Sequence, residues 1–319
     1  MLGRIVEVGS DDRHLSLERG FLVVSQRGTE VGRTPIDDVS ALIGNAHGLS
    51  YSNNLLVGLA KRGVPFVLCG ANHLPVGLLW PVEGHHRQAA RMDAQLRATL
   101  PLRKRLWKQL VQNKIAMQAA VLELFERNSS RVRDLSRRVR AGDPANLEGQ
   151  AARLYWPALL GAEFRRDRSA GGPNALLNYG YTVLRATVAR HLMGAGLHPG
   201  IPLHHANAAN PMRLVDDLME PFRPLVDAWA HHLVSQGTAD VTSAAKRTLA
   251  LLPIRSLHGD RGVSPLTLVI QRLAHSLACC YSGELDSLEL PRAEVATLSS
   301  LFEDSGEAPG ATTTEAAPA

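Results

Sequence analysis

Residues 88–128, QAARMDAQLRATLPLRKRLWKQLVQNKIAMQAAVLELFERN, carry apolar side chains at three- and four-residue spacing almost without interruption. That is the period of a helix and not of a strand. The stretch predicts two helices, over Gln88–Leu100 and Pro101–Asn128, and Ser130–Ala141 continues as a third. Upstream of about His85 the period changes. Arg4–Val8, His14–Glu18 and Phe21–Gln26 are short period-two or continuous apolar runs between Gly, Ser and Asp turns, and they predict strands. Pro35–Ile43 reads as a further strand, Asn53–Arg62 as a short amphipathic helix, and Val64–Leu68 as a strand. The expected fold is therefore α+β in two domains: a small β-rich domain over residues 1–84 and a larger all-α domain over 85–303. Beyond Phe302 the composition collapses into Glu, Gly, Ala, Thr and Pro, which predicts a disordered low-complexity tail over 304–319.

Composition bounds the function only loosely. The chain has 319 residues, 45% of them hydrophobic, enough for two domains with cores of their own. A formal net charge of +5 and a pI near 9.4 favour a polyanionic partner, most simply nucleic acid. No segment reaches the roughly 20 apolar residues of a membrane span, and no basic leader precedes one. A soluble, cytoplasmic protein with no membrane partner is expected. Cys69, Cys279 and Cys280 show no CxxC spacing and read as reduced thiols; zinc held by Cys279, Cys280 and His275 would lack the paired spacing such sites use. Positive charge is dense at Arg103, Lys104, Arg105 and Lys108, and again at Arg131, Arg133, Arg137, Arg138 and Arg140. Each could be an ordinary solvated helix face. Beside a phosphoryl-transfer site, Arg131, Arg133, Arg137 and Arg138 become candidate DNA contacts.

The residues with chemistry gather around breaks in the helical pattern. Gly142-Asp143-Pro144 is a turn, and Asn146 suits the N-cap of a helix carrying Glu148. Gly171-Gly172-Pro173 interrupts the next helix, and the Gly/Pro-rich stretch from Gly194 to Pro202 delivers His204 and His205. If the following helix begins near Pro211, Leu214, Leu218 and Met219 form its buried stripe, and Asp217 and Glu220 project together from another face. Two such carboxylates repel unless a cation or protons neutralise them, and the two histidines offer nitrogen donors nearby. Carboxylates, one imidazole and open positions suit Mg²⁺ or Mn²⁺, which implies phosphoryl transfer. Taken alone, the commoner meaning of Asp-x-x-Glu is a solvated face, and Glu148 alone would simply complement a helix dipole.

Four separated segments carry a family resemblance. They are Asn146–Trp156 (NLEGQAARLYW), Asn174–Arg185 (NALLNYGYTVLR), Val67–Gly77 (VLCGANHLPVG) and His204–Pro224 (HHANAANPMRLVDDLMEPFRP). Taken in chain order they resemble the CRISPR-associated integrase family, the Cas-one proteins, in their type II form, from about residue 3 to about residue 300. The resemblance implies metal ligands at Glu148, at His205 as the second histidine of the pair, and at Glu220 as the final acid of the family pattern. It leaves Asp217 as an outer-sphere or alternate ligand and His204 as structural; Pro202 stands where the family has Gly. It implies insertion of prespacer DNA into a CRISPR repeat array, in which a 3′-hydroxyl attacks a phosphodiester, with related endonuclease activity. It also implies a β-rich domain that dimerises, a Cas-two dimer bridging two such homodimers in a four-plus-two complex, and a link to the type II effector nuclease. Two other functions use the same residues. One is a structure-specific nuclease acting on branched DNA without a Cas-two partner; the other is a DNA-binding scaffold with a vestigial acidic cluster. A repeat array beside the gene would favour integration.

Overall fold

The structure, a computed structural model, describes residues 3–70, 75–79, 81–82, 84–259 and 261–303. The N-terminal unit holds β1 (Arg4–Val8), β2 (Arg13–Glu18), β3 (Phe21–Gln26), β4 (Thr29–Pro35), β5 (Val39–Gly44), β6 (Ser50–Tyr51), α1 (Asn53–Lys61), β7 (Phe66–Cys69) and β8 (Pro75–Leu79). The strands form two four-stranded sheets, ordered β1-β5-β7-β8 and β4-β3-β2-β6. β5 has parallel partners on both sides, and Val39, Ala41, Leu42 and Ile43 along it are all buried. That continuous apolar run is the pattern of a strand covered on both faces. Ser52 caps α1 by accepting the Leu55 N–H (3.2 Å), and Leu55 and Leu59 pack with Leu15, Ile36, Leu42 and Phe66 in the core of this unit.

Two details depart from the sequence expectation. Pro35–Ile43 is not one strand, because β4 ends at Pro35, Ile36–Asp38 make a 3₁₀ turn, and β5 begins at Val39. The turn lets Ile36 point fully into the core while Asp37 stays exposed. β4 itself, TEVGRTP, has no apolar alternation to reveal it; it is an edge strand paired only with β3.

Contacts divide the chain after His86. From Arg87 onward the unit is helical, with α2 (Gln88–Arg97), α3 (Leu100–Leu124), α4 (Ser130–Arg138), α5 (Leu147–Leu160), α6 (Pro173–Gly194), α7 (Arg213–Met219), α8 (Arg223–Ser235) and α9 (Ser243–Ala250). A hairpin of β9 (Ser256–Gly259) and β10 (Gly262–Pro265) follows, then α10 (Leu266–Tyr281) and α11 (Val295–Glu303). The β-rich, then helical order is the one expected, with this hairpin as the single strand pair among the described residues of the helical unit. Residues 71–74 of the Val67–Gly77 motif and the 304–319 tail lie outside the described residues. No helix among those described is long and apolar enough to cross a membrane.

α3 is the axis of this unit and packs against α4, α5, α8 and α11. Thr99 starts it by accepting the Leu102 N–H (3.4 Å), and Leu106, Trp107, Leu110, Val111, Ile115 and Met117 line its buried side. α6 and α8 approach closely at Gly180, where an added Cβ would lie 2.5 Å from Val226 Cγ1. Alanine raises helix propensity by about 1 kcal/mol over glycine, but overpacking against a stiff β-branched neighbour costs about 1–3 kcal/mol. Gly180→Ala is therefore expected to lower the urea-unfolding free energy by about 1 kcal/mol; an increase would mean that Val226 yields freely.

Candidate active site

Glu148 is the second residue of α5, and the start of that helix is unusually well held. The Asp143 carboxylate accepts the N–H groups of Leu147 (2.9 Å) and Glu148 (3.0 Å), and Asn146 Oδ1 accepts that of Gly149 (3.1 Å). Asn146 has the expected N-cap role, and it does so at φ 49°, in the left-handed region that asparagine tolerates. Three of the otherwise orphaned N–H groups of the first turn are thus satisfied, which fixes where Glu148 points.

The histidine loop is organised by Asp217. This carboxylate is fully buried and accepts the backbone N–H groups of Leu203 (2.7 Å), His204 (3.2 Å) and His205 (3.1 Å), together with the His205 ring Nδ1 (2.6 Å). A carboxylate can only accept here, so Nδ1 carries the proton and Nε2 keeps its lone pair. The hydrogen bond to Asp217 outweighs partial burial and raises the His205 pKa above the ordinary imidazole range. His204 stacks parallel on the buried Trp107 indole, with centroids 4.4 Å apart and 3° between the rings. It thereby holds the loop from the other side.

Glu220 does not share the partners of Asp217; it stands where α7 runs into a 3₁₀ turn over Glu220–Phe222. Its carboxylate faces two cations instead. Arg223 Nε donates to Oε1 at 2.9 Å, and Lys114 Nζ lies 2.5 Å from Oε2. The same Nζ donates to Glu148 Oε1 at 2.5 Å. Glu148 and Glu220 therefore meet across one ammonium group, with His205 near enough for its charge to act on Glu220. Burial opposes ionisation of Glu220, but Arg223 and Lys114 together hold its pKa down to about 2. Burial likewise opposes the charge on Lys114, and Glu220 and Glu148 overcome it, so its pKa is raised. Among the described residues, no three His, Cys, Asp or Glu side chains converge on one point; an ammonium joins the two acids.

Behind this cluster lies Asp227 on α8. It is buried and accepts hydrogen bonds from Tyr155 (3.1 Å) and Tyr181. Burial lifts its pKa to about 7, against the pull of both tyrosines. Tyr181 in turn presents its ring to the Arg223 guanidinium at 4.7 Å, a cation–π contact that fixes the arginine.

Comparison with known proteins follows from this geometry. The family model described as CRISPR associated protein Cas1 matches residues 6–251. A curated relative from Neisseria meningitidis serogroup C (strain 8013), CRISPR-associated endonuclease Cas1, is 39% identical over 248 residues, covering 76% of this chain and 80% of the relative. The chain belongs to the Cas1 family. Two solved structures share the fold at 18% identity: a casposase bound to integration product (TM-score 0.77, 92% of this chain, 93% of that one) and a Cas6-RT-Cas1–Cas2 complex (TM-score 0.74, 92% and 36%).

In this Cas1 chain the arginines divide. Arg131 and Arg138 on α4 and Arg153 on α5 line one groove beside the helix that carries Glu148. Arg133, another of the candidate DNA contacts, is held by Glu123 at 3.0 and 2.6 Å. Arg137 lies 3.7 Å from Asp134. Asp217 corrects the expectation of an alternate ligand, since its two oxygens already accept four donors. Cys279 touches His275 (3.5 Å). Sequence reading missed Lys114, Arg223 and Asp143. The one legible signal was a lysine amid the apolar positions Leu110, Val111, Ile115 and Met117.

Asp217→Asn is expected to bring the His205 pKa, read by NMR, down toward the ordinary value, and to cost about 1–3 kcal/mol through poorly satisfied buried N–H groups; an unmoved imidazole would remove Asp217 as its orienting group. Asp227 gives a pH dependence of definite sign. Its folded pKa of about 7 lies above the ordinary 3.8, so the stability it contributes is present below about pH 4 and lost as pH rises through 7, on the order of 4 kcal/mol. Denaturant unfolding of wild type against Asp227→Asn should show the wild type losing ground between pH 4 and 7.

Proposed function

We propose that this Cas1 chain is a divalent-metal-dependent DNA integrase and endonuclease of CRISPR adaptation, which joins a prespacer 3′-hydroxyl to a phosphodiester at the edge of a repeat. One observation carries this: acids from two separate elements, Glu148 and Glu220, meet on a single positive charge, and the charge of His205, whose Nδ1 is already committed, acts on Glu220. Two carboxylate oxygens and one imidazole nitrogen form a donor set suited to Mg²⁺ or Mn²⁺, and the ammonium between the acids marks a position where a cation is stabilised. Glu148, Glu220 and Nε2 of His205 would hold the ion. When bound it would supply Lewis-acid stabilisation of the phosphoryl oxygens and a lowered pKa for the attacking hydroxyl.

The remaining roles belong to the chain. Asp217 sets the tautomer and direction of His205, as an outer carboxylate commonly does for a ligating histidine. Asp143 and Asn146 fix the helix start that aims Glu148. Arg223, fixed on Tyr181, keeps Glu220 ionised at any working pH. Arg131, Arg138 and Arg153 supply phosphate contacts that guide a DNA strand along α4 and α5 toward the acids. One such site acts on one strand, so insertion of a duplex requires two sites at fixed separation. A homodimer paired through a Cas-two dimer in a four-plus-two complex meets that requirement. The name of the Neisseria meningitidis relative and the titles of the casposase and Cas1–Cas2 structures support DNA and Cas2 as partners.

The test is transfer of a labelled duplex with free 3′-hydroxyl ends into a supercoiled plasmid carrying the cognate repeat, with the Cas2 partner and Mn²⁺. Glu148→Ala, His205→Ala and Glu220→Ala are each expected to lower transfer by about a hundredfold or more, and a chelator to abolish it. Arg131→Ala and Arg138→Ala should each reduce the salt dependence of DNA binding by about one ion. Transfer that survives both His205→Ala and Glu220→Ala would place the chemistry on other residues. Cleavage of branched DNA without Cas2, and no transfer, would favour the nuclease reading.

A further inference from the structure

Of the two cations on Glu220, one is held against an aromatic face as well as the acid, and one is held between two acids. Arg223 is partly buried, its guanidinium held between Glu220 and the face of Tyr181. Lys114 reaches the acids on a flexible four-carbon stem, and its compact ammonium is strongly hydrated when released. Its side chain is 11% exposed and that of Glu148 is 24% exposed, so solvent reaches the rim of the bridge. If Lys114 withdrew, neither acid would be left as an unanswered buried charge: Glu220 would keep Arg223, and Glu148 would keep its access to water. The bridge is thus the separable element of the cluster.

It also occupies the oxygens that the proposed metal site requires. Mg²⁺ binds carboxylate oxygen at roughly 2.0–2.1 Å, and Nζ sits 2.5 Å from both Glu148 Oε1 and Glu220 Oε2. An ion seated between these two oxygens would stand where the ammonium now is. As it stands, two carboxylates and two cationic side chains make a neutral cluster. A divalent ion added on top would leave it strongly positive, whereas an ion that replaces the ammonium, with a phosphodiester beside it, restores balance.

Resting on the reading of Glu148 and Glu220 as metal ligands, we propose that Lys114 is a built-in counterion that holds the two acids together before metal arrives and is expelled, still protonated, when a divalent ion takes its place. Lys114 is then a positioning residue whose side chain must move out of its carboxylate seat for the site to load.

The full-length wild-type protein allows a direct test, because it has only five lysines, Lys61, Lys104, Lys108, Lys114 and Lys246. Brief acylation followed by peptide mass spectrometry, with and without Mn²⁺, reads the exposure of each amine, and the loss of free Mn²⁺ signal in electron paramagnetic resonance reads binding. Glu148→Gln identifies which binding belongs to this site. The expected result is that Lys114 is protected without metal and labelled about fivefold or more faster with bound Mn²⁺, while Lys104 and Lys108 stay constant. Lys114→Met should bind Mn²⁺ about tenfold more tightly, having lost its competitor. Should Mn²⁺ bind at the Glu148-dependent site while Lys114 stays protected, the exchange is overturned and the metal site stands. Should Lys114→Met bind Mn²⁺ where wild type does not, the ammonium blocks the ion and is not expelled by it, and the exchange is overturned while the metal ligands stand. If neither binds Mn²⁺, the metal reading falls and the exchange with it.

Discussion

A carboxylate can be buried among helices only if its charge is answered, and this unit buries three within a dozen residues, each answered differently. Asp217 is met by backbone N–H groups and an imidazole. Glu220 is met by two cationic side chains. Asp227 is met by hydrogen bonds from two phenols, and its proton is held to near neutral pH by burial. These three answers give three chemical characters: a structural anchor, a permanently ionised acid, and a group that is protonated over much of the acidic range. The site takes its shape from that division more than from any single pair.

Much of this was legible in the sequence, but at the level of motifs. The change from period two to period 3.6 near His85 announced a β-rich part followed by a helical one. The Asn146, Asn174 and His204 segments pointed to Glu148, His205 and Glu220 through resemblance. Spacing suggested only that Asp217 and Glu220 share a face; it could not show that they take different partners, backbone N–H groups and an imidazole for Asp217 and two cationic side chains for Glu220. β4 was hidden for a different reason: an edge strand needs no apolar alternation to pair with one neighbour.

Lys114 shows the limit of local reading most clearly. A lysine set between Val111 and Ile115 on the buried side of α3 is anomalous, and the anomaly could be seen in the sequence. What it reaches could not, since its partners lie on α5 and just after α7, brought near only by packing against α3. The arginines make the same point in reverse. Arg131, Arg133, Arg137 and Arg138 look alike in a basic run, and only the fold separates the one that braces Glu123 from those that face a groove.

The bond pattern at Asp217 also limits how this region can diversify. Leu203, His204 and His205 are each tied by backbone to one carboxylate on α7, so a residue inserted among them would carry the wrong N–H, or the wrong side chain, to each oxygen. The exposed stretch Ala206–Ala209 that follows is bound to no such template. Length changes between homologues should therefore accumulate after the second histidine and stop abruptly before the first.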